Sequence, residues 1–203
     1  MHAEEMEKLK RLVERPFGEL LFSSAIVIGD GATERSFLPV VIRHALAGRA
    51  HGVCVIDPES MGSPLAHAAV KFAKLVGIPW LLFCDSDGPG KADGQALVNA
   101  HAGGDQSHIV WLHTEAGGSV VEGAIERMLV TFDDQLCRDA CLEIRADIDE
   151  GQSTLELLTR VKGSVGSALA RRLIEQYPQV SSWPQPLRTL VDRLDAVLSE
   201  PTA

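Results

Sequence analysis

The stretch Ala25-Ile-Val-Ile-Gly-Asp-Gly-Ala-Thr-Glu34 decides the fold, because an apolar, β-branched run passes directly into glycines and carboxylates. A second stretch, Trp80-Leu-Leu-Phe-Cys-Asp-Ser-Asp-Gly88, also passes from an apolar run into carboxylates and a glycine. Continuous apolar runs of this length are typical of strands that are buried on both faces of a parallel sheet. Ligands of such sheets bind outside the carboxyl ends of the strands, which is where both sets of carboxylates would lie.

Strand and helix patterns alternate up to about residue 130. Strands are predicted at 25–28, 52–56, 80–84 and 108–112, and helices at 34–46, 64–76, around 95–100 and at 119–129. Gly77 and Pro79 mark the end of the second of these helices. The alternation predicts an α/β fold with a parallel sheet of about four strands, right-handed crossovers and helices on both faces.

The final third of the chain has helix patterns alone. Helices are predicted at 132–148, 155–161, 164–177 and 186–198, and a short amphipathic helix at 3–13 precedes the first strand. The predicted organisation therefore has three parts. They are an N-terminal helix and linker (1–19), an α/β domain (20–130) and a C-terminal helical subdomain (131–203).

Composition narrows the classes of function. The 203 residues are 45% hydrophobic and carry a net charge of −9, which argues against a nucleic-acid binder that depends on bulk positive charge. An enzyme whose metal ions supply positive charge locally stays compatible. Cys137 and Cys141 have a spacing that could share a metal, but no nearby Cys or His completes a zinc site. No apolar run is long enough to span a bilayer, so we predict a soluble, cytoplasmic protein.

The carboxylates at the strand ends form two groups that can share one cleft. Asp30 and Glu34 are four residues apart across a strand-to-helix turn, and Asp85 and Asp87 are two residues apart in extended backbone, so each pair can face one side. The two groups would repel each other unless a cation lay between them. Hard cations such as Mg²⁺ and Mn²⁺ prefer oxygen ligands. The sequence therefore favours a metal-dependent enzyme of phosphate chemistry.

Each group alone also has a purely structural interpretation. Asp30 could be a turn residue, and Glu34 could serve only to complement the helix dipole. Asp85-Ser-Asp-Gly88 could be an Asx-turn followed by a helix N-cap. Such interpretations account less well for two acidic groups at adjacent strand exits.

These motifs resemble the Toprim domain of the OLD (overcoming lysogenization defect) family of nucleases. Ile28–Pro39 and Phe83–Asp87 are similar to the acidic elements that follow the first and third strands of that family, and Gly62 matches its glycine after the second strand. The chain departs from the family in having Asp30 where a glutamate is usual. The resemblance covers about residues 20–130, and the helical tail matches less specifically.

The resemblance implies a set of site residues. Metal ligands would be Asp30, Glu34, Asp85, Asp87, Ser119 and Glu122. Glu115 lies in the same loop as Ser119 and competes with Glu122 for this role. The catalytic residues implied are Lys162, Glu34 and Asp85, with Lys162 stabilising charge on the phosphoryl group. Without the resemblance, Lys162 would be interpreted as a solvated lysine at a helix end.

The implied function is metal-dependent DNA endonuclease activity, with two Mg²⁺ or Mn²⁺ ions per site and Ca²⁺ as a further ion that could bind. In OLD proteins the Toprim domain usually follows an ATPase domain. By this resemblance the chain looks like the C-terminal catalytic part of a longer ATPase-nuclease, beginning near an inserted start methionine.

Other functions remain open at the level of sequence. An RNA-processing Toprim nuclease or a primase-like core would use the same carboxylates. A topoisomerase would need a nucleophilic tyrosine, and the lone Tyr177 lies in the helical tail. Lys91 follows glycines but lacks the full phosphate-loop pattern, which argues against ATP binding. A non-catalytic Toprim-like binding or assembly module is the alternative from a different class.

Overall fold

A mixed five-stranded sheet forms the centre of the computed structural model, which describes residues 17–116, 119–144 and 151–199. Its strands are β1 (Ala25–Gly29), β2 (Val53–Ile56), β3 (Trp80–Asp85), β4 (Ile109–Ala116) and β5 (Ser119–Glu122). Their spatial order is β2-β1-β3-β4-β5. The first four are parallel, and β5 runs antiparallel to β4. The predicted α/β fold with a parallel core is confirmed, whereas the predicted helix at 3–13 lies outside the described residues.

Eight α-helices accompany the sheet in the described part of the chain. They are α1 (Ala32–Leu46), α2 (Pro64–Val76), α3 (Gly88–Ala102), α4 (Ile125–Phe132), α5 (Asp134–Ile144), α6 (Thr154–Arg160), α7 (Gly166–Gln176) and α8 (Gln185–Ser199). Short 3-10 turns cover Phe17–Phe22, Ala47–Ala50, Gln106–His108 and Val180–Ser182. None of the described helices has the length and apolar character needed to cross a membrane.

Side chains of successive strand residues enter two separate cores. Val27 and Phe83 are buried with the helices of the C-terminal third, whereas Ile26 and Leu82 are buried against α2 and α3. This period of two places one core on each face of the sheet. Of the C-terminal helices, α7 packs on α1, whereas α8 packs directly on β4 and β1. The predicted division into domains at residues 19/20 and 130/131 stays a prediction.

The predicted helix at 119–129 is wrong in its first half. Residues Ser119–Glu122 form strand β5, in which Glu122 pairs with His113 of β4. All four residues of β5 are exposed, so the segment has no apolar alternation that would reveal a strand. Helix α4 begins only at Ile125. This correction changes which acidic side chain faces the ends of the strands.

The other predicted elements differ from the structure mainly at their ends. Helix α2 matches the prediction, and Gly77 caps it in a left-handed conformation with φ 73°. Helix α1 begins two residues earlier than predicted, which puts Pro39 in its interior. Proline has no N–H to donate there, so the turn above Arg35 loses one helical hydrogen bond. Helix α5 covers 134–144 of the predicted 132–148, and residues 145–148 lie outside the described chain.

Close packing of α7 on α1 fixes the position of the segment that carries Lys162. A Cβ atom at Gly166 would lie 2.5 Å from the backbone oxygen of Thr33 and 3.0 Å from the backbone nitrogen of Phe37. Ser167 also donates a hydrogen bond to the carbonyl of Ser36 at 3.1 Å. Since backbone atoms cannot rotate aside, a side chain at position 166 must push the two helices apart.

We therefore expect Gly166→Ala to lower the free energy of unfolding by about 2–3 kcal/mol, as measured by urea denaturation. Gly48→Ala is the matched control, because its added Cβ meets no atom within 4 Å. The control should change stability by less than about 0.5 kcal/mol. Equal stability of Gly166→Ala and the wild type would contradict the close approach of α1 and α7.

Candidate functional site

Asp30 lies immediately beyond β1, at the carboxyl edge of the sheet. Its carboxylate accepts hydrogen bonds from the backbone N–H groups of Met61 and Asp85, so it joins the exits of three strands. Burial raises the pKa of Asp30 despite these hydrogen bonds, and the charge of Asp93 adds to the rise. Burial therefore disfavours the charged form of Asp30 more than the backbone hydrogen bonds favour it, so a nearby cation would stabilise this carboxylate.

Glu34 extends from the first turn of α1 into the same region and is only 2% exposed. Its Oε2 atom has no hydrogen-bond partner among the described residues. Burial, with added repulsion from Asp85 and Glu126, raises the pKa of Glu34 from 4.5 to about 8. A buried carboxylate oxygen without a donor is costly unless a proton or a cation neutralises it.

Asp85 is the last residue of β3, next to β1 in the sheet. Its Oδ1 atom is also buried without a hydrogen-bond partner in the described structure. Burial raises the pKa of Asp85 to about 7, and the charges of Asp30 and Glu126 contribute to that rise. Two orphaned oxygens, on Glu34 and Asp85, therefore face one small region between β1 and β3.

Glu126, which sequence reasoning missed, is the fourth acid of this region and is buried like Glu34, whereas Asp30 and Asp85 are half-buried. It lies in the first turn of α4, is 5% exposed and accepts a hydrogen bond from Thr33 Oγ1 at 2.9 Å. The exit of β3 holds this helix in place, because Gly123 N–H donates to Ser86 Oγ at 2.9 Å and Ser86 N–H donates to the Gly123 carbonyl. The sequence feature that could have indicated Glu126 is that, like Glu34, it lies in the first turn of a helix that follows a strand.

Lys162 reaches the acids from the loop between α6 and α7. Its Nζ atom lies 3.4 Å from Glu126 Oε1, and its side chain is 47% exposed. Partial burial lowers the pKa of Lys162, but the negative charges of Glu126, Glu34 and Asp85 outweigh burial and leave that pKa raised. The ammonium group therefore stays charged beside the carboxylates, as its predicted role requires.

Glycines leave the space in which the carboxylates lie. A Cβ atom at Gly90 would lie 2.6 Å from Asp30 Oδ2, and a Cβ atom at Gly31 would lie 3.1 Å from Glu34 Oε2. A third glycine, Gly62, approaches Asp93 just as closely, with 2.6 Å between the added Cβ and Asp93 Oδ2. Asp93, on α3, is a second acid that sequence reasoning missed. No motif marks Asp93, which lies on α3 one turn beyond Gly90 and comes near Asp30 only when that helix packs at the end of β1.

The structure places the remaining predicted ligands at the rim. Asp87 is the exposed N-cap residue of α3, yet its side chain forms no capping hydrogen bond, and its charge helps to raise the pKa of Asp85. Ser119 and Glu122 lie on exposed strand β5, and Glu122 forms an ion pair with Lys91. In the described chain, Glu126 rather than Glu122 faces Glu34 and Asp85. The side chain of Glu115, the competitor, lies outside the described residues.

The donor set suits a hard divalent cation. The donor atoms of this region are carboxylate oxygens, and hard oxygen ligands favour Mg²⁺ or Mn²⁺ over Zn²⁺. Within the described ranges, no three His, Cys, Asp or Glu side chains already converge in an arrangement that would hold an ion. Binding of an ion would therefore require the carboxylates to shift toward it. The orphaned oxygens of Glu34 and Asp85 are the atoms with most to gain from that shift.

The stability of the metal-free protein should fall as pH rises, because the pKa values of Glu34 and Asp85 are raised in the folded state. Between 4.5 and about 8 the folded chain keeps a proton on Glu34 that the unfolded chain loses. Glu34→Gln removes this titration. We expect the variant to gain about 2–4 kcal/mol relative to the wild type between pH 5 and pH 9, in urea denaturation with EDTA.

Added Mg²⁺ should reverse part of this difference by stabilising the wild type at high pH. Asp192→Asn, on an exposed position of α8, is the control and should follow the wild type at every pH. A constant difference between Glu34→Gln and the wild type across this range would contradict the burial of an ionisable Glu34.

Comparison with known proteins agrees with this fold. The family model of the overcoming lysogenization defect protein-like TOPRIM domain matches residues 21–87. Comparison with curated protein sequences gives no significant match.

Solved structures extend the likeness to most of the chain. The C-terminal region of the OLD protein of Xanthomonas campestris pv. campestris superposes with a TM-score of 0.64 and 15% identity, over 89% of this chain and 96% of that one. The C-terminal region of the Burkholderia pseudomallei OLD protein superposes with a TM-score of 0.59 and 16% identity, over 87% and 99% of the two chains. Residues 21–87 therefore match an OLD-like Toprim domain, within a chain that has the fold of OLD C-terminal regions.

Proposed function

We propose that this protein is a divalent-metal-dependent nuclease that hydrolyses the phosphodiester bonds of DNA. The observation that supports the proposal most is the pair of buried, unpartnered carboxylate oxygens on Glu34 and Asp85, at the exits of adjacent parallel strands. A purely structural role would leave both oxygens unsatisfied at a cost in stability. The OLD-like Toprim match over residues 21–87 gives the same direction.

Asp30, Glu34 and Asp85 would hold the ions, with Asp87 at the open side and Glu126 as the additional buried acid. Two bound ions, Mg²⁺ or Mn²⁺, would supply the positive charge that activates water and stabilises the leaving oxygen. The glycines beside these acids keep the space for ligand oxygen atoms open. We propose Ser119 and Glu122 as outer ligands, since Gly123, directly after β5, is hydrogen-bonded to Ser86 at the end of β3.

Lys162 would neutralise charge that develops on the phosphoryl group during attack. Its ammonium stays protonated beside Glu126, and its half-exposed side chain can reach a substrate without unfolding the loop. Glu126 and Thr33 would act as positioning residues, because their hydrogen bond fixes the carboxylate that orients Lys162. Hydrolysis adds one water molecule: a new P–O bond forms, the bond to the 3′ oxygen breaks, and that oxygen takes a proton.

The wider biological setting follows from the same proposal. A cytoplasmic protein in which an ATPase domain is joined to this nuclease unit would match the organisation of OLD proteins. RNA is the alternative substrate, because carboxylates that hold metal ions would act on the phosphodiester group, which DNA and RNA share. The negative charge of the whole chain means that metal ions must offset repulsion of any nucleic acid.

Cleavage of supercoiled plasmid tests the proposal. Wild-type protein should give nicked or linear product with Mg²⁺ or Mn²⁺ and none with EDTA. Product that forms equally in EDTA would exclude the metal-dependent mechanism. Intact plasmid and intact RNA under every metal would favour a non-catalytic Toprim-like binding module instead.

A further inference from the structure

Asp30, Glu34, Asp85 and Glu126 form the acidic centre of the protein. An open cleft of about 270 Å³ adjoins this centre on the side of Lys162. It is lined by Asp87, Ala124, Glu126, Arg127, Leu155, Thr159 and Lys162. Three elements therefore meet there: the exit of β3, the start of α4 and the helix α6. A polymer substrate that placed one phosphate at the acids could continue only along an open surface such as this one.

Arg127 is the basic residue of this cleft that forms no ion pair with a described carboxylate. Its side chain is exposed at the first turns of α4, and it forms no ion pair within the described part of the chain. Lys162, by contrast, already pairs with Glu126, and Lys91 pairs with Glu122 on the neighbouring rim. In a chain of net charge −9, an unpaired guanidinium beside a carboxylate cluster is open to an external anion.

Contact with Gly123 also restricts the position of the Arg127 side chain. The stem of the side chain passes over Gly123, where an added Cβ would lie 3.0 Å from Arg127 Cδ. Gly123 in turn is hydrogen-bonded to Ser86, directly after Asp85. The contact with Gly123 and the hydrogen bonds between Gly123 and Ser86 therefore hold Arg127 near the end of β3, which carries the proposed metal ligand Asp85.

We infer that Arg127 binds the backbone phosphate next to the scissile one, so that the cleft is a subsite for one flanking nucleotide. The planar guanidinium can donate two hydrogen bonds to one phosphate, which a lysine cannot match. Leu155, 36% exposed at the opposite wall, offers an apolar surface for the sugar or base of that nucleotide. This inference rests on the proposed nuclease function and names a residue that positions its substrate.

Binding of a fluorescently labelled single-stranded DNA oligonucleotide, followed by anisotropy in Ca²⁺ over a series of salt concentrations, tests the inference without requiring cleavage. Arg127→Met should raise Kd about tenfold and lower the salt slope by about one charge. Arg127→Lys should recover the slope but only part of the affinity. The control is Arg43→Met, which removes the same charge from the last turn of α1, about 14 Å along that helix from Glu34.

Three outcomes would overturn the inference: unchanged binding by Arg127→Met, equal losses in Arg127→Met and Arg43→Met, or no binding of the oligonucleotide by the wild type. The fate of the nuclease proposal is read separately, from plasmid cleavage. A wild type that binds the oligonucleotide through Arg127 but never cleaves would leave the subsite standing and remove the proposed activity.

Discussion

Asp85→Asn is expected to lower metal-dependent cleavage of plasmid DNA by about 1,000-fold or more. The substitution keeps the shape of the side chain but replaces the orphaned Oδ1 charge with a neutral amide. Burial and the charges of Asp30 and Glu126 already oppose ionisation of Asp85, so the variant should fold at least as stably as the metal-free wild type. Loss of activity would then report on metal binding rather than on unfolding.

Asp192→Asn provides the matched control for that experiment, since it makes the same chemical change at an exposed position of α8. It should cleave at the wild-type rate. Retention of more than about one tenth of wild-type activity by Asp85→Asn would remove Asp85 from the metal site.

Lys162→Met is expected to lower kcat by about 100-fold while leaving the affinity for Mn²⁺ unchanged. The ammonium group contacts Glu126 but is half exposed, so its removal should cost little stability. Methionine keeps the length of the aliphatic stem, which limits any loss of packing. Single-turnover cleavage separates this effect on the chemical step from effects on binding.

The control for Lys162 is Lys162→Arg, which preserves the charge with a different geometry. It should retain more activity than Lys162→Met. If Lys162→Met lost Mn²⁺ affinity as well as rate, Lys162 would support the metal ligands rather than the phosphoryl group. Equal cleavage by Lys162→Met and the wild type would leave it with no catalytic role.

The sheet and the first acids could be predicted because their signals are local. The apolar runs of β1 and β3 are each followed by an aspartate, and burial on both faces leaves a continuous hydrophobic pattern. Parallel order then brings Asp30 and Asp85 together, since the carboxyl ends of neighbouring strands meet at one edge. Local sequence was sufficient at these positions because each residue's role depends on its own strand.

Glu126 and Arg127 could not be found in the same way. The exposed strand β5 has no alternation, so Ser119–Glu122 reads as the start of the helix that follows it. That reading put Glu122 in the first helical turn, where the structure has Glu126. The hydrogen bonds between Ser86 and Gly123 set this position, and they join residues that are 37 apart in the chain.

Titration of Mn²⁺ at pH 8, followed by the electron paramagnetic resonance of the free ion, tests the acidic centre most directly. The wild type should remove Mn²⁺ from solution, Mg²⁺ should compete for it, and Asp85→Asn should lose most of the binding while Asp192→Asn keeps it. Equal Mn²⁺ binding by Asp85→Asn and the wild type, or none by the wild type, would contradict a metal centre at the exits of β1 and β3.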